Sequence, residues 1–158
     1  MNNKELENKV NSYTHELIME KGYVCSVDIL LKLEYISKKD YDAWRLGKVE
    51  YLEKVCKVNL SKLSMVNKII RKNSIKRNLD KSWTAYNKYS KGPKKRLIFS
   101  KSGDNQIESF YATHFLDKRR ISELKIEKQL KNSSATETMI NKQETNLLHD
   151  ENKIATTT

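Results

Sequence analysis

Acidic side chains are nearly missing between Lys57 and Lys101, where Asp80 stands alone against fourteen Lys and Arg. Cysteine is scarce too: Cys25 and Cys56 are the whole supply, and neither has a Cys or His partner at ligand spacing. That excludes a disulfide framework and a zinc site and leaves both as small buried side chains. No apolar run approaches the roughly 18 residues of a membrane span, and the opening residues, Met1 to Glu5, are polar and charged rather than an apolar signal region. The expectation is a soluble cytosolic protein with no membrane partner. No internal repeat is visible, and no nucleophile and base stand at catalytic spacing, so neither an enzymatic activity nor a cofactor or metal is implied.

What is present is one-sided charge. The 158 residues carry a net +11, yet the stretch from Lys57 to Lys101 alone carries +13. The rest of the chain is therefore close to neutral, and the excess is concentrated as an electrostatic footprint for polyanions. The cations are 25 Lys and 6 Arg beside 14 Asn, an enrichment that AT-rich codon usage produces. Codon usage does not explain why the acids are missing from one stretch. An apolar content of 37% fills a modest core in a chain of this length, which fits one domain.

Periodicity gives the organisation. Leu6, Val10, Tyr13, Leu17 and Ile18 mark an amphipathic helix over 3–21, with Gly22 at its end. Ser26 is expected to cap a short apolar helix (Val27, Ile29, Leu30, Leu31, Leu33), and Ser37 with Asp40 opens another through Tyr41, Ala43, Trp44 and Leu46 to Gly47. A short helix over 50–56 and a long one over 60–77, capped by Asn59, follow. On the long helix Leu60, Leu63, Val66, Ile69 and Ile70 predict a packed face, and Lys68, Lys72 and Lys76 a cationic row. Trp83, Tyr86 and Tyr89 suggest a short helix starting at Ser82, before the break at Gly92 and Pro93. Leu97, Ile98 and Phe99 read as a strand ending in a turn at 100–104. Its pairing partner is the 110–115 region, unless Asp104 caps a helix there; both readings stay open. A charged helix follows over 117–131.

The fold expected is mainly α: a multi-helix domain over 3–130 with a small β element near 96–116, and a disordered polar tail over 131–158. The order short helix, short helix, basic helix, basic loop and strand is loosely that of a winged helix-turn-helix, with Lys94, Lys95 and Arg96 in the wing.

Two segments also resemble a known family. Ser37, Lys38, Lys39, Asp40, Tyr41, Asp42, Ala43, Trp44, Arg45 and Gly47 with Tyr51, Leu52 and Glu53 form the first. Leu97, Phe99, Ser100, Lys101, Ser102 and Gly103 with Ile107, Glu108, Tyr111, Thr113 and His114 form the second. Together they are similar to a family of small uncharacterised bacterial proteins, over about residues 20–116. The resemblance implies those domain limits and a bacterial, cytosolic setting, and no activity.

The functional expectation is a protein that contacts the phosphates of DNA or RNA. The residues that would do so are Lys68, Arg71, Lys72, Lys76, Arg77, Lys91, Lys94, Lys95, Arg96 and Lys101. Trp83, Tyr86 and Tyr89 are candidate stacking surfaces for unpaired bases. The alternative is an adaptor for an acidic protein partner, anchored by Trp44 beside Arg45, or by Trp83. The Ser100 to Asp104 turn is a weaker candidate, for an anion held by backbone N–H groups, and a plain turn is the preferred reading. His114 with Glu108 or Asp104 is a nominal acid–base set, but a lone His among Tyr111, Thr113 and Phe115 is read as structural. Asp40 and Asp42 diverge on a helix and do not share a metal.

Overall fold

A capping box starts the chain: Asn2 Oδ1 accepts from the N–H of Glu5, and the Glu5 carboxylate accepts from the N–H of Asn2. Helix α1 (Asn3–Lys21) then runs to Gly22, whose φ of +82° ends it. A side chain there would be strained by that φ and would also collide with Ile121. Leu6, Val10, Leu17 and Ile18 are buried as their spacing predicts, but Thr14 takes the buried position expected of Tyr13, its hydroxyl donating to the carbonyl of Val10. The computed structural model describes residues 2–134. The chain divides into two units at Ile121; the first holds the sheet, the basic stretch and the groove, and of the second the described part, 122–134, is helical.

Strand β1 (Tyr23–Val24) leads into α2 (Ser26–Lys32). Ser26 does not cap this helix. Cys25 occupies the cap position without a side-chain bond, and the Ser26 hydroxyl donates to Asn67 Oδ1 at 2.6 Å inside the core. Ser37 does cap α3 (Lys38–Arg45), accepting from the N–H of Asp40, and Gly47 turns the chain at φ +77°. The segment expected as a helix over 50–56 tightens to one 3₁₀ turn, Leu52–Val55. Asn59 caps α4 (Leu60–Lys76), which buries Leu63, Val66, Ile69 and Ile70 chiefly against α1. Leu60 departs from the expected packed face and is 57% exposed.

The aromatic stretch after α4 is not helical. Residues Asp80–Trp83 form β2, and 84–89 are irregular apart from a bridge between Asn87 and Arg96. Spacings of three among Trp83, Tyr86 and Tyr89 suit a helix, but these side chains suit strands equally, and an open edge of the final strand decides the matter. That strand, β3 (Thr113–Leu116), lies at the centre of a three-stranded antiparallel sheet ordered β1-β3-β2, pairing Val24 with Phe115 and Trp83 with Thr113. It follows directly on α5 (Asn105–Ala112), capped by Asp104, so the helix reading holds over 105–112; 113–116 is a strand, but it pairs with β1 and β2 and not with 97–99 as the other reading had it.

Leu97, Ile98 and Phe99 are extended but join no sheet. The N–H of Leu97 donates to the carbonyl of Tyr86, and the carbonyls of Ile98 and Phe99 accept from the N–H groups of Leu52 and Glu53. Backbone groups satisfied this way need no partner strand. No regular strands flank the expected wing: Lys94 lies in a loop, and the arms beside it meet only in the Asn87–Arg96 bridge, with the N–H of Lys88 donating to the carbonyl of Lys95. Trp44, fully buried, is packed by Tyr41, Tyr86 and Phe99, and Phe99 stacks on Tyr111 at 5.3 Å.

Asp117 accepts from the N–H of Arg120 and opens α6, helical over 118–134, three residues beyond the expected end at 131. The tail expected to be disordered lies, from 135 on, outside the described residues. Among the described residues no helix is long and apolar enough to cross a membrane.

Candidate functional site: a basic surface and an apolar groove

The sequence brings fourteen cations into one stretch, and the fold leaves them without acids. Among the described residues, no ammonium or guanidinium group of 57–101 lies within 4.0 Å of a carboxylate. Asp80, the acid of that stretch, is met instead by Lys118 at 3.7 Å. Elsewhere opposite charges do pair: Lys21 with Asp28, Lys32 with Glu16 and Lys38 with Asp42 at 2.7–3.1 Å.

The predicted contact residues fall into three groups. Lys68, Lys72, Lys76 and Arg77 are exposed on α4. Lys72 and Lys76 border a shallow depression with Glu7 and Asn11 of α1. Lys91, Lys94, Lys95 and Arg96 are exposed in the loop, where the Arg96 guanidinium sits 4.6 Å from the Trp83 ring centroid. Arg71 and Lys101 form the third group, beside α5.

The four aromatic candidates separate by burial. Trp83 is 52% and Tyr89 54% exposed, and Arg45 sits 4.1 Å from the Tyr89 ring centroid. Tyr86 and Trp44 are core residues, so neither stacks on a base nor anchors a partner. Tyr86 is sealed in by Trp44, Phe99 and His114, and the Trp44 indole N–H donates to the carbonyl of Ile98 at 2.9 Å.

Between α4 and α5 lies a groove of about 530 Å³. One wall is a stripe of α4 side chains, Leu60, Ser64 and Asn67; the other is Ile107, Phe110 and Tyr111 of α5, with Glu53, Lys101 and Ser102 at one end. The next position of the stripe is Arg71, half-buried, its guanidinium 3.7 Å from the Phe110 ring centroid. Burial lowers the pKa of that guanidinium from its ordinary value, and its Nη1 is buried with no hydrogen-bond partner. Ile107, Phe110 and Tyr111 have helical spacing in the sequence, which marks an apolar face. Nothing in that spacing says that the face stays partly uncovered.

Four of the five amides of the Ser100 to Asp104 turn, those of Ser100, Lys101, Gly103 and Asp104, already donate to the protein's own acceptors. Glu108 accepts from the N–H of Phe99 (3.0 Å), the N–H of Ser100 (2.7 Å) and the hydroxyl of Ser100 (2.6 Å). Lys101 N–H donates to Glu53, Gly103 N–H to Ser100 Oγ and Asp104 N–H to Ser102 Oγ. The plain-turn reading holds. Sequence reasoning set aside Glu108 as a nominal acid–base partner of His114 and did not find its role as the acceptor for 99–100.

His114 is structural: a 3.0 Å hydrogen bond joins its Nε2 to Tyr86 Oη, and its ring stacks on Tyr23 at 5.2 Å. Glu108 serves the 99–100 backbone and Asp104 caps α5, so the nominal acid–base set is not assembled. Burial lowers the His114 pKa below its ordinary 6.5. The unfolded chain therefore binds the extra proton first as pH falls, and the stability His114 confers is present above about 6.5 and lost below it. Chemical denaturation at falling pH is expected to show a steeper loss in wild type than in His114→Gln; equal slopes would refute this.

Burial also pushes the thiols of Cys25 and Cys56 up to about 12. Neither is expected to react with a disulfide reagent near neutral pH until denaturant is added. Labelling of native protein followed by mass spectrometry checks this. No family model, curated protein or solved structure matches this chain.

Proposed function

We propose that the chain binds nucleic acid through its phosphates. The contacts are the exposed cations of α4 (Lys68, Lys72, Lys76, Arg77) and of the loop (Lys91, Lys94, Lys95, Arg96), with Trp83 and Tyr89 as stacking surfaces for unpaired bases. The observation that supports this is the absence of acid partners for every cation of 57–101 among the described residues. Cations crowded without acids repel one another, and a polyanion relieves that repulsion while releasing its condensed counterions. A cytosolic setting accords with this reading.

Fluorescence anisotropy with labelled single strands and duplexes tests it. Log affinity is expected to fall linearly with log salt, and replacing Lys68, Lys72 and Lys76 by Glu to flatten that slope by roughly two units or more. Trp83→Ala is expected to weaken single-strand binding by about 1–3 kcal/mol and to spare duplex binding. Absence of binding to any strand at low salt would sink the proposal. The second reading is an acidic protein partner, favoured by the same unpaired lysines around an exposed Trp83. It predicts a complex that survives nuclease treatment.

A further inference from the structure

The polar groups of the α4–α5 groove are unequal in kind. Its acceptors are used up: Glu53 takes the N–H of Lys101 on one oxygen and the hydroxyl of Tyr111 on the other, at 3.0 and 2.8 Å. Its donors are not. Asn67 lines the groove, is only 5% exposed, and spends its Oδ1 on Ser26, while its Nδ2 has no partner among the described residues. Arg71 follows one helical turn later on the same stripe, held over Phe110 with its Nη1 buried and unpartnered. A buried guanidinium nitrogen without an acceptor is an uncompensated desolvation, which an arriving anion removes.

From this end the groove runs over apolar surface, past Phe110 and Ile107 to Leu60. Its volume is that of a small-ligand site. Asn67 in the lining, Arg71 adjoining it over Phe110, and the apolar walls of Phe110, Ile107 and Leu60 specify an occupant with an anionic head and an apolar body. We propose that the groove binds a small amphipathic carboxylate, its carboxylate at Asn67 and Arg71 and its aliphatic or aromatic body along Phe110, Ile107 and Leu60. A carboxylate matches the fork of a guanidinium and accepts from an amide at the same time. Lys101, whose backbone N–H donates to Glu53, also lines the groove and is the comparison cation in the test. This site is separate from the lysines assigned to nucleic acid, so either reading stands without the other.

Octanoate is the probe, with acetate as the head alone and octylammonium as the same body with the opposite charge. Methyl NMR and calorimetry on the full chain are expected to show saturable octanoate binding that shifts Leu60 and Ile107. Acetate and octylammonium are expected to bind at least about tenfold more weakly. Arg71→Gln lowers octanoate affinity about tenfold, whereas Lys101→Gln changes it by less than about threefold. Leu60→Asp, at an exposed position that tolerates substitution, also abolishes binding, and it decides the matter if Arg71→Gln does not fold. The proposal is overturned by no saturable shift at Leu60 and Ile107, by equal binding of octylammonium, or by octanoate affinity unchanged in folded Arg71→Gln or in Leu60→Asp. Displacement of octanoate by a single-stranded oligonucleotide also overturns it, by giving the groove to the nucleic acid.

Discussion

Trp44→Ala is expected to cost about 3–5 kcal/mol, a large fraction of the roughly 5–15 kcal/mol that holds a domain folded. The indole is fully buried among Tyr41, Tyr86 and Phe99, so truncation opens a large cavity that rings on three sides cannot fill by small shifts. It also removes the donor to the carbonyl of Ile98. Trp44→Phe separates the two contributions: it keeps much of the volume and loses the hydrogen bond, so a smaller loss of about 1–3 kcal/mol is expected. Urea denaturation measures both. A Trp44→Ala protein that stays folded at wild-type stability would refute this packing, and loss of a partner in that variant would report unfolding rather than a lost anchor.

Glu108→Ala is expected to be as damaging, for a different reason. Three donors converge on that buried carboxylate, two of them backbone N–H groups of Phe99 and Ser100 that no side-chain rotation can redirect. Each donor left buried and unpaired costs about 1–3 kcal/mol, so a total loss of at least about 2 kcal/mol follows even if water reaches one of them. Glu108→Gln is the sharper test. Glu108 receives donors on both oxygens, and an amide offers only one acceptor and turns an NH₂ group toward a donor. The near-isosteric change is therefore expected to recover little of the stability lost in Glu108→Ala. Full recovery would show that shape, not acceptor count, holds the 99–100 segment.

Glu108 also shows where sequence reading ends. The helices were legible because their signals are local: Asn59 and Ser37 cap, Gly22 terminates, and Leu63, Val66 and Ile70 repeat at helical spacing. The hydrogen bonds of the 84–104 region are not local. Leu97 answers Tyr86, Ile98 answers Leu52 and Trp44, and Phe99 answers Glu53 and Glu108. A β-prone triplet whose partners are a 3₁₀ turn, an indole and a carboxylate leaves no period in the sequence, so an expected strand became a strap. The basic stretch was legible as charge, but burial alone sorted its aromatics, keeping Trp83 and Tyr89 and removing Tyr86, as it removed Trp44 outside the stretch. The groove was illegible because an apolar face at helical spacing looks the same whether covered or open.

The central place of β3 in the sheet bears on how the protein is made. Both outer strands precede it in the chain, β1 by most of the first unit, and each pairs with β3 rather than with the other. During synthesis from the amino terminus, β1 and β2 leave the ribosome with no strand to join, and α1 and α4 can dock before any sheet exists. The sheet closes only when 113–116 emerges, in a single late event that also seats Phe115 in the core. A nascent chain halted at Ala112 would hold a helical subassembly with two orphan strands, and release of the next four residues would be the step that turns it into the native protein.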